Sequence, residues 1–386
     1  MERSVRFLRD ITVLLDGWAL AYDANGSAAV SLHTLLDYLP EDIRLVVALA
    51  AKPVDLLPER VMAQVIDTPL TMWARLTWEQ HTLNRTAKKV AADFVHLTSG
   101  APALFGTGIS VVSPAGEGFQ GVFTNQDARL QSPVRQRGLS ERLRIALLHG
   151  GLLRSSAIIW PTDLPEPKVG IPLFKLPPII PKIFWDENQF SIDLAGVELP
   201  ENYILCQGTN AESDLRMLLD AWRWASTTLG ETMSLVTVGL DLEARLQLVK
   251  LSADYQLTGT VLALPEVPLA KLAVVFRRCT ALLQINPISP WGDPIRLALA
   301  SGKPVVGLEN PLSDALVGPA AYLVRPGESA KATARALGAA LVTVIGEESV
   351  AEPLADEAKK RSAAWKVAES LFGDELSFAY LNLLHR

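Results

Sequence analysis

The feature that most constrains the fold is a regular alternation of short apolar runs with longer amphipathic segments. The runs at 11–16 (ITVLLD) and 43–50 (IRLVVALA) have the length of buried strands, and a helical pattern at 27–39 separates them. The same alternation restarts at 202–208 and continues to about residue 324. Because strands that alternate with helices form parallel sheets with helices on both faces, the sequence predicts an α/β protein.

A proline-rich stretch interrupts this alternation between residues 161 and 200. Seven prolines lie between positions 161 and 181, which excludes a continuous helix there. A chain of 386 residues has enough material for two buried cores, at about 150 residues per domain. We therefore predict two domains, at 1–180 and 181–365, joined by the proline-rich stretch.

Composition and charge exclude several classes of function. The 36 Lys and Arg against 42 Asp and Glu give a net charge of −6, which argues against nucleic-acid binding. The two cysteines, Cys206 and Cys279, have no partner at metal-ligand spacing, and we expect both in the core. No apolar stretch approaches the roughly 20 residues that span a bilayer, so we expect a cytoplasmic protein. A mean hydropathy of +0.21 leaves a peripheral membrane contact or a protein partner open.

Common catalytic motifs are absent or weak in this sequence. Gly116, Gly118 and Gly121 form a G-x-G-x-x-G string, but no good helix follows, so we expect a loop rather than a dinucleotide site. The five histidines form no cluster, and we expect no metal. His96, at the end of a predicted strand, is the histidine placed to reach a cleft. The alternative is a hydrogen-bonded histidine in or near the core.

The densest local pattern occupies residues 286–306. A strand ends at Asn286, a turn rich in proline and glycine follows, and Asp293 and Pro294 then fit the N-cap and first position of a helix. Gly302 is suited to end that helix. A helix that begins after a strand and a loop presents backbone N–H groups, which suit an anion such as a diphosphate.

This segment resembles the donor-site signature of the retaining glycosyltransferases of family 4, which have the GT-B architecture. Their pattern is E-G-F-G-L-P-x-x-E-A-M-A-x-G-x-P-V-V. The positions that fit it, identically or by conservative exchange, are Trp291, Gly292, Pro294, Ala298, Ala300, Gly302, Pro304, Val305 and Val306. Segments at 203–209 and 235–239 are similar to the first two strands of the family's donor domain, and segments at 78–83 and 92–96 to its acceptor domain.

The resemblance implies an α/β fold of GT-B type, with two Rossmann-like doubly wound parallel-sheet domains facing each other across a cleft. The C-terminal helix, at 366–386, would pack back on the N-terminal domain. The implied donor-binding candidates are Gly26, Gly208, Thr209, Gly239, Ser289, Trp291, Gly292, Asp293 and Arg296. Acceptor-side candidates are Asn25 and His96. The implied ligand is a nucleotide sugar, as substrate, with no cofactor and no metal.

The side chains with which the family holds its donor are missing. The two glutamates of the signature fall on Ser289 and Leu297, and a leucine cannot hydrogen-bond a ribose. The basic clamp of the family falls at 208–214, where Glu212 and Asp214 would repel a diphosphate. The family's histidine after the central strand has no counterpart. We therefore assign no catalytic residue from the sequence.

Two functions follow from this combination. One is a glycosyltransferase that transfers a sugar from a nucleotide-sugar donor to an acceptor with retention. The alternative is a catalytically inactive homologue, a pseudoenzyme that acts as a binding or scaffolding subunit beside an active glycosyltransferase. A GT-B enzyme of another chemistry, such as an epimerase, has no supporting residues. Arg296 is suited to contact a phosphate, and its alternative role is an ion pair with Asp293. Trp291 is suited to stack on a base or sugar, and its alternative role is ordinary packing.

Overall fold

The computed structural model describes residues 11–100, 102–106, 108–115, 139–185, 197–207, 212–230, 232–285 and 288–385. The chain divides into two compact units. The first comprises Met1–Pro181, Ser289–Gly292 and Val367–Arg386, and the second comprises Lys182–Ile288 and Asp293–Lys366. The chain therefore crosses between the units four times, and one of the returning segments is only four residues long.

The first unit is built on a parallel sheet of seven strands in the order β3-β2-β1-β4-β5-β6-β7. The strands are β1 (Ile11–Asp16), β2 (Ile43–Leu49), β3 (Val61–Val65), β4 (Phe94–Leu97), β5 (Ile109–Val112), β6 (Ala157–Pro161) and β7 (Leu173–Leu176). In register, Val13 of β1 lies opposite Leu45 of β2 on one side and Phe94 of β4 on the other. The strand order reverses between β1 and β4, which makes this the topological switch point of the sheet.

The helices that follow these strands are α1 (Trp18–Tyr22), α2 (Ser27–Tyr38), α3 (Met72–Thr77), α4 (Leu83–Val90) and α5 (Leu139–Leu152). A π-helix, Trp78–Thr82, separates α3 from α4. The sequence pattern of 73–92 is helical throughout, and the structure has a π-helix in the middle of it. The wider turn of a π-helix leaves no mark in hydrophobic periodicity, and such turns are frequent at functional sites.

The second unit repeats this architecture with six parallel strands in the order β10-β9-β8-β11-β12-β13. The strands are β8 (Tyr203–Gln207), β9 (Ser234–Val238), β10 (Val261–Ala263), β11 (Ala281–Gln284), β12 (Val305–Leu308) and β13 (Ala321–Val324). Its helices are α6 (Glu212–Leu229), α7 (Leu242–Asp254), α8 (Leu269–Arg278), α9 (Pro294–Ala300), α10 (Pro311–Val317), α11 (Ala330–Gly346) and α12 (Glu348–Val367). The switch point of this sheet lies between β8 and β11.

The last helix, α13 (Glu369–Leu384), belongs to the first unit. Its residues Phe372, Leu376 and Tyr380 are buried in the same core as the central strand β1. The second unit has its own core, in which Leu219 and Trp222 of α6 pack with strands and with α11. Each unit therefore has the separate hydrophobic core that defines a domain.

The alternating pattern of the sequence predicts the inner strands but misses two at or near the edge of the first sheet. β3 has one buried residue among its five, so the chain shows little apolar pattern there. β7 lies inside the proline-rich stretch and pairs with β6 from Leu173 to Leu176. Prolines on either side of an edge strand remove few ladder hydrogen bonds, which explains why proline density does not exclude a short strand there.

The two cysteines and the apolar character of the helices complete the description of the fold. Cys206 and Cys279 are free and buried, and burial raises the pKa of each thiol to about 12. Both thiols therefore stay protonated and are small core groups, as the sequence predicts. Within the part of the chain that the structure describes, no helix combines the length and apolar character needed to cross a membrane.

Candidate functional site

The donor candidates of the second unit follow three neighbouring strands of its sheet. Gly208 and Thr209, after β8, lie outside the described residues, as do Gly116, Gly118 and Gly121 of the first unit. Gly239 follows β9 with φ +77°, a left-handed conformation that glycine adopts without strain. Asp293 and Arg296 come after β11, which with β8 flanks the switch point of this sheet, where open α/β sheets bind their ligands.

The turn into α9 has the local structure that the sequence predicts. The Asp293 carboxylate accepts a hydrogen bond from the backbone N–H of Ile295 at 2.9 Å, and Pro294 is the first helical residue. Asp293 is therefore the N-cap of α9. Its side chain is 1% exposed.

Arg296 is completely buried and its guanidinium lies over an aromatic ring. Its Cζ atom is 5.2 Å from the centroid of the Trp365 ring, a cation–π contact between α9 and α12. Leu297, at the position of the family's second glutamate, is 1% exposed. Arg296, the candidate cation for a phosphate, is thus already in contact with an aromatic side chain of its own unit.

The segment Ser289–Gly292 belongs to the first unit and is packed within it. The Ser289 hydroxyl donates to the Trp291 carbonyl at 2.9 Å, and the Trp291 indole N–H donates to the Ile159 carbonyl of β6 at 3.0 Å. The Trp291 ring is 3% exposed and meets Phe372 edge-on, with 6.0 Å between ring centroids. In the structure Trp291 is therefore a packed side chain of the first unit, which was its alternative interpretation.

Gly292 is held where a side chain would not fit. Its φ is +67°, and a Cβ added to it would lie 1.9 Å from the carbonyl oxygen of Ser27. The backbone of the crossing segment therefore lies directly against the start of α2. This contact explains the glycine at position 292 by local sterics within the first unit.

The acidic residues at the start of α6 are accompanied by a cation. Glu212 opens the helix and accepts a hydrogen bond from Arg216, one turn later, with 2.6 Å between Nη2 and Oε1. This hydrogen bond lowers the pKa of Glu212 from its ordinary value. Both side chains are about half exposed. Arg216, which partly offsets the charge of Glu212 and Asp214, could have been identified from its i, i+4 spacing to Glu212 on a helix.

The candidates of the first unit lie in or near its core. His96 is fully buried, and both ring nitrogens are bonded, Nδ1 to the Tyr380 hydroxyl at 2.6 Å and Nε2 to the Ser113 hydroxyl at 2.7 Å. Burial lowers the pKa of His96 to about 3, so the ring is neutral at physiological pH. Asn25 is 2% exposed, and Gly26 is the N-cap of α2. A hydrogen-bonded core histidine, the alternative for His96, is what the structure contains.

A cluster of charged side chains that the sequence does not predict lies at the switch point of the first sheet. Asp16 ends β1 and is fully buried. One of its carboxylate oxygens accepts hydrogen bonds from the Trp78 indole N–H at 2.8 Å and from the backbone N–H of Trp18 at 3.1 Å. Its other oxygen pairs with Arg75 at 3.4 Å. The Arg75 guanidinium also stacks over the Trp18 ring, 4.8 Å from its centroid.

Glu79 of the π-helix extends this cluster towards α5. Its Oε1 atom accepts from Arg75 Nε at 2.6 Å and pairs with Arg144 Nη2 at 3.3 Å. Arg75 and Arg144 reach the side chain and the backbone carbonyl of Ser99, after β4, at 3.0 and 3.2 Å. The cluster, defined as Asp16, Arg75, Glu79 and Arg144, thus joins elements on both sides of the switch point.

The cluster is balanced in charge but not fully hydrogen-bonded. It has two carboxylates and two guanidinium groups, which is how buried charges are tolerated. Yet Arg75 Nη1 and Glu79 Oε2 are buried and have no hydrogen-bond partner within the described ranges. The i, i+4 spacing of Arg75 and Glu79 was visible in the sequence, but their contacts with Asp16 and Arg144 depend on tertiary folding.

Within the described ranges, no group of three or more His, Cys, Asp or Glu side chains is placed to hold a metal ion. Among the described candidates, Gly239, Asp293 and Arg296 belong to the second unit, and the other candidates and the charge cluster belong to the first.

Solved structures with the same fold cover almost the whole chain. A sucrose-phosphate synthase from Thermosynechococcus elongatus aligns over 96% of this chain and 100% of its own, with 14% identity and a TM-score of 0.66. WaaG, a glycosyltransferase involved in lipopolysaccharide biosynthesis, aligns over 93% and 99%, with 14% identity and a TM-score of 0.65. Anabaena HepE, in complex with UDP and glucose, aligns over 96% and 100%, with 15% identity and a TM-score of 0.62.

These similarities establish the fold. Two parallel sheets of seven and six strands, each flanked by helices, match GT-B glycosyltransferases, and the chain has this architecture. No protein-family profile matches the sequence, and no curated protein does.

Proposed function

We propose that the protein is a glycosyltransferase of GT-B type that binds a nucleotide sugar at the switch point of its second sheet. The observation that carries this proposal is the similarity of fold over 96% of the chain to HepE, which was solved with UDP and glucose. The resemblance of residues 291–306 to the donor signature of retaining family 4 enzymes supports the same assignment. Retention of configuration and a nucleotide sugar used as substrate, without a metal, are parts of the proposal.

Arg216 is the cation that we assign to the donor phosphates. It stands near the start of α6, the helix that follows the central strand β8, and its side chain is half exposed. Its partner Glu212 lies one turn before it on the same helix. An exposed intrahelical ion pair contributes little to stability, so a diphosphate can replace the carboxylate at small cost. This offsets the repulsion expected from Glu212 and Asp214.

Calorimetric titration of the purified chain with UDP, UDP-glucose and GDP tests donor binding. We expect saturable binding of one nucleotide, weakened about ten- to a hundredfold by Arg216→Ala, since a charge-assisted contact to phosphate is worth about 1.5–3 kcal/mol. Arg223→Ala removes an exposed arginine two turns further along α6 and is the matched control, with affinity unchanged. The absence of saturable binding for all three nucleotides would overturn the proposal.

The second candidate is a homologue that binds but does not catalyse, and it has specific support. Leu297 is buried where the family places a glutamate, and the Arg296 guanidinium lies on the Trp365 ring. The first observation removes the ribose contact of the family, and the second leaves the Arg296 guanidinium on an aromatic ring instead of a phosphate, so both favour a donor site with weakened catalysis.

Release of UDP from UDP-glucose and UDP-N-acetylglucosamine separates the two candidates. Nucleotide release above the spontaneous rate, lowered by Arg216→Ala, supports the enzyme. Nucleotide binding that depends on Arg216, together with release at the spontaneous rate in the presence of acceptor sugars, supports the inactive homologue.

A further inference from the structure

Helix α7 has apolar side chains on two opposite faces. Its outer face carries Leu242, Leu246 and Val249, which are 65%, 64% and 61% exposed. A helix that is apolar all round is normally covered all round, because burial of each aliphatic side chain is favourable. The residues of its inner face pack in the core of the second unit and are Ala244, Leu248 and Leu251. The sequence of α7 therefore fits a helix that a further surface covers on its outer side.

The exposed apolar residues of α7 form one continuous stripe. Leu242, Leu246, Val249 and the exposed Ala253 are separated by four, three and four residues, and these four residues are called the outer stripe. This spacing is that of the a and d positions with which one helix packs along another in a coiled coil. At 1.5 Å per residue the stripe is about 16 Å long. The surface that covers it is therefore best matched by another helix.

Two copies of α7 fit each other in one antiparallel register. With a two-fold axis between positions 247 and 248, Leu246 lies against the partner's Val249, and Leu242 lies against the partner's Ala253. Each contact occurs twice, because an interface about a two-fold axis is self-complementary. All four residues of the outer stripe are then covered by residues of the same stripe.

The charged residues beside the outer stripe favour this register. Glu243 and Lys250 are exposed on the same flank, at positions equivalent to e of a heptad. The antiparallel register places Glu243 beside the partner's Lys250, twice. A parallel pair would instead place Arg245 beside the partner's Lys250 and bring like charges together. Lys250 is also within electrostatic reach of Glu212 on α6, so these pairs select the orientation while the apolar stripe provides the attraction.

A lipid surface fits the outer stripe less well than a second copy does. Helices that lie on membranes carry Lys and Arg on their polar face. Beside the outer stripe stand Glu243 and, at the two ends of the helix, Asp241 and Asp254, which an anionic lipid surface would repel. In the antiparallel pair Asp241 and Asp254 lie on opposite flanks of the stripe and do not face each other.

We propose that a second copy of this chain binds at the outer stripe of α7, in an antiparallel helix pair about a two-fold axis. One helix pair of three turns buries less than the roughly 1,000 Å² of a stable interface. The dimer is therefore weak and forms as the concentration of the chain rises. The proposal concerns the outer surface of the second unit and does not depend on nucleotide binding.

Sedimentation equilibrium of the full chain, at about 5–500 μM, measures this association. We expect a reversible equilibrium between monomer and dimer. Leu246→Glu places a charge in the centre of the apolar contact and should raise the dissociation constant at least about tenfold. Leu153→Glu, at a leucine of the first unit that is 73% exposed, is the matched control and should associate as wild type. Both leucines are largely exposed, so we expect both variants to fold.

Charge reversal tests the register. Glu243→Lys and Lys250→Glu each bring like charges together in both ion pairs, so each should weaken association about three- to tenfold. The double variant restores both pairs with opposite polarity and should associate within about twofold of wild type. Single variants that weaken association without recovery in the double variant would contradict the antiparallel register.

Three further results would overturn the proposal. One is a chain that stays monomeric at every concentration, and another is a dimer that Leu246→Glu does not weaken. The third is flotation of a monomeric chain with vesicles of phosphatidylcholine and phosphatidylglycerol that Leu246→Glu abolishes, because the stripe would then bind lipid. UDP affinity of Leu246→Glu should equal that of wild type. A chain that dimerises through α7 but binds no nucleotide would contradict the proposed function and leave this proposal intact.

Discussion

At the scale of the residue, His96 shows how burial determines a charge state. The ring is fully enclosed, and its two nitrogens are bonded to Tyr380 and Ser113. Neither partner is a carboxylate, so no nearby negative charge favours the protonated ring, and burial lowers the pKa to about 3. His96 is therefore a neutral link between β4, β5 and α13 within the first unit, and its protonation opposes folding.

This titration predicts an acid-dependent loss of stability. Below the ordinary value of 6.5 the unfolded chain binds a proton at His96, while the folded chain does not bind it until about pH 3. The free energy of unfolding therefore falls as pH decreases from 6.5, by up to about 1.4 kcal/mol per pH unit from this group. Urea unfolding of wild type between pH 7.5 and 4.5 should show this slope.

The variants His96→Gln and His81→Gln assign the slope to one residue. His96→Gln should lower stability at pH 7 and should show a shallower dependence on pH than wild type. His81 is exposed on the π-helix, so His81→Gln should keep the wild-type slope. Equal slopes for wild type and His96→Gln would contradict the assignment.

Gly292 gives a second prediction at this scale. Gly292→Ala must place a Cβ against the Ser27 carbonyl in a left-handed backbone conformation, so we expect a loss of at least about 2 kcal/mol in the free energy of unfolding. Gly346→Ala, at the end of α11 with open space around the new Cβ, is the matched control. That substitution should stabilise by about 0.5–1 kcal/mol. Similar unfolding midpoints for the two variants would refute the steric argument.

At the scale of the element, helix starts are encoded locally and can be tested separately. Asn310 caps α10 by accepting from the backbone N–H groups of Leu312 and Ser313, each at 3.0 Å. Asn310→Ala leaves both donors without this acceptor and should cost about 1 kcal/mol. Thermal unfolding monitored by circular dichroism measures the change. Asn382→Ala, inside α13, is the matched control and should be neutral or slightly stabilising; a loss as large as that of Asn310→Ala would argue against capping.

The same distinction between local and distant information explains what the sequence could predict. The strand β1 and the cap at Asp293 depend on neighbouring residues, and both could be predicted. The π-helix could not, because its residue Glu79 contacts Arg144, which is distant in the sequence, and reaches Asp16 only through Arg75. Similarly, the burial of Trp291 depends on Ile159 and Phe372, which are far away in the sequence.

At the scale of the whole molecule, the first unit is discontinuous in the sequence. Its core contains Trp291 from the four-residue crossing segment and Phe372 and Tyr380 from α13. The sequence predicts two domains from the alternation of strands and helices and from the proline-rich stretch. It could not predict that Ser289–Gly292 returns to the first unit, since a turn rich in proline and glycine is equally suited to a surface loop.

This discontinuity predicts that residues 1–181 do not fold as an independent domain. A fragment that ends at Pro181 lacks three large buried side chains of the first core, and removing even one such aromatic group costs about 3–5 kcal/mol. We expect the fragment to bind a hydrophobic dye and to lack a cooperative unfolding transition. Fusion of residues 367–386 to its end should restore part of the cooperativity. A fragment that unfolds cooperatively without them would contradict the prediction.

The interleaving of the two units also sets the order of events during synthesis. Residues 11–181 leave the ribosome with a sheet whose core is incomplete, while the second unit is still being made. The final helix follows roughly 200 residues later, on the order of 10–40 s at ordinary elongation rates. During that interval the apolar side chains of the first core that α13 will cover are accessible to other chains. Until the final helix docks, the incomplete first core is therefore exposed to aggregation with other chains.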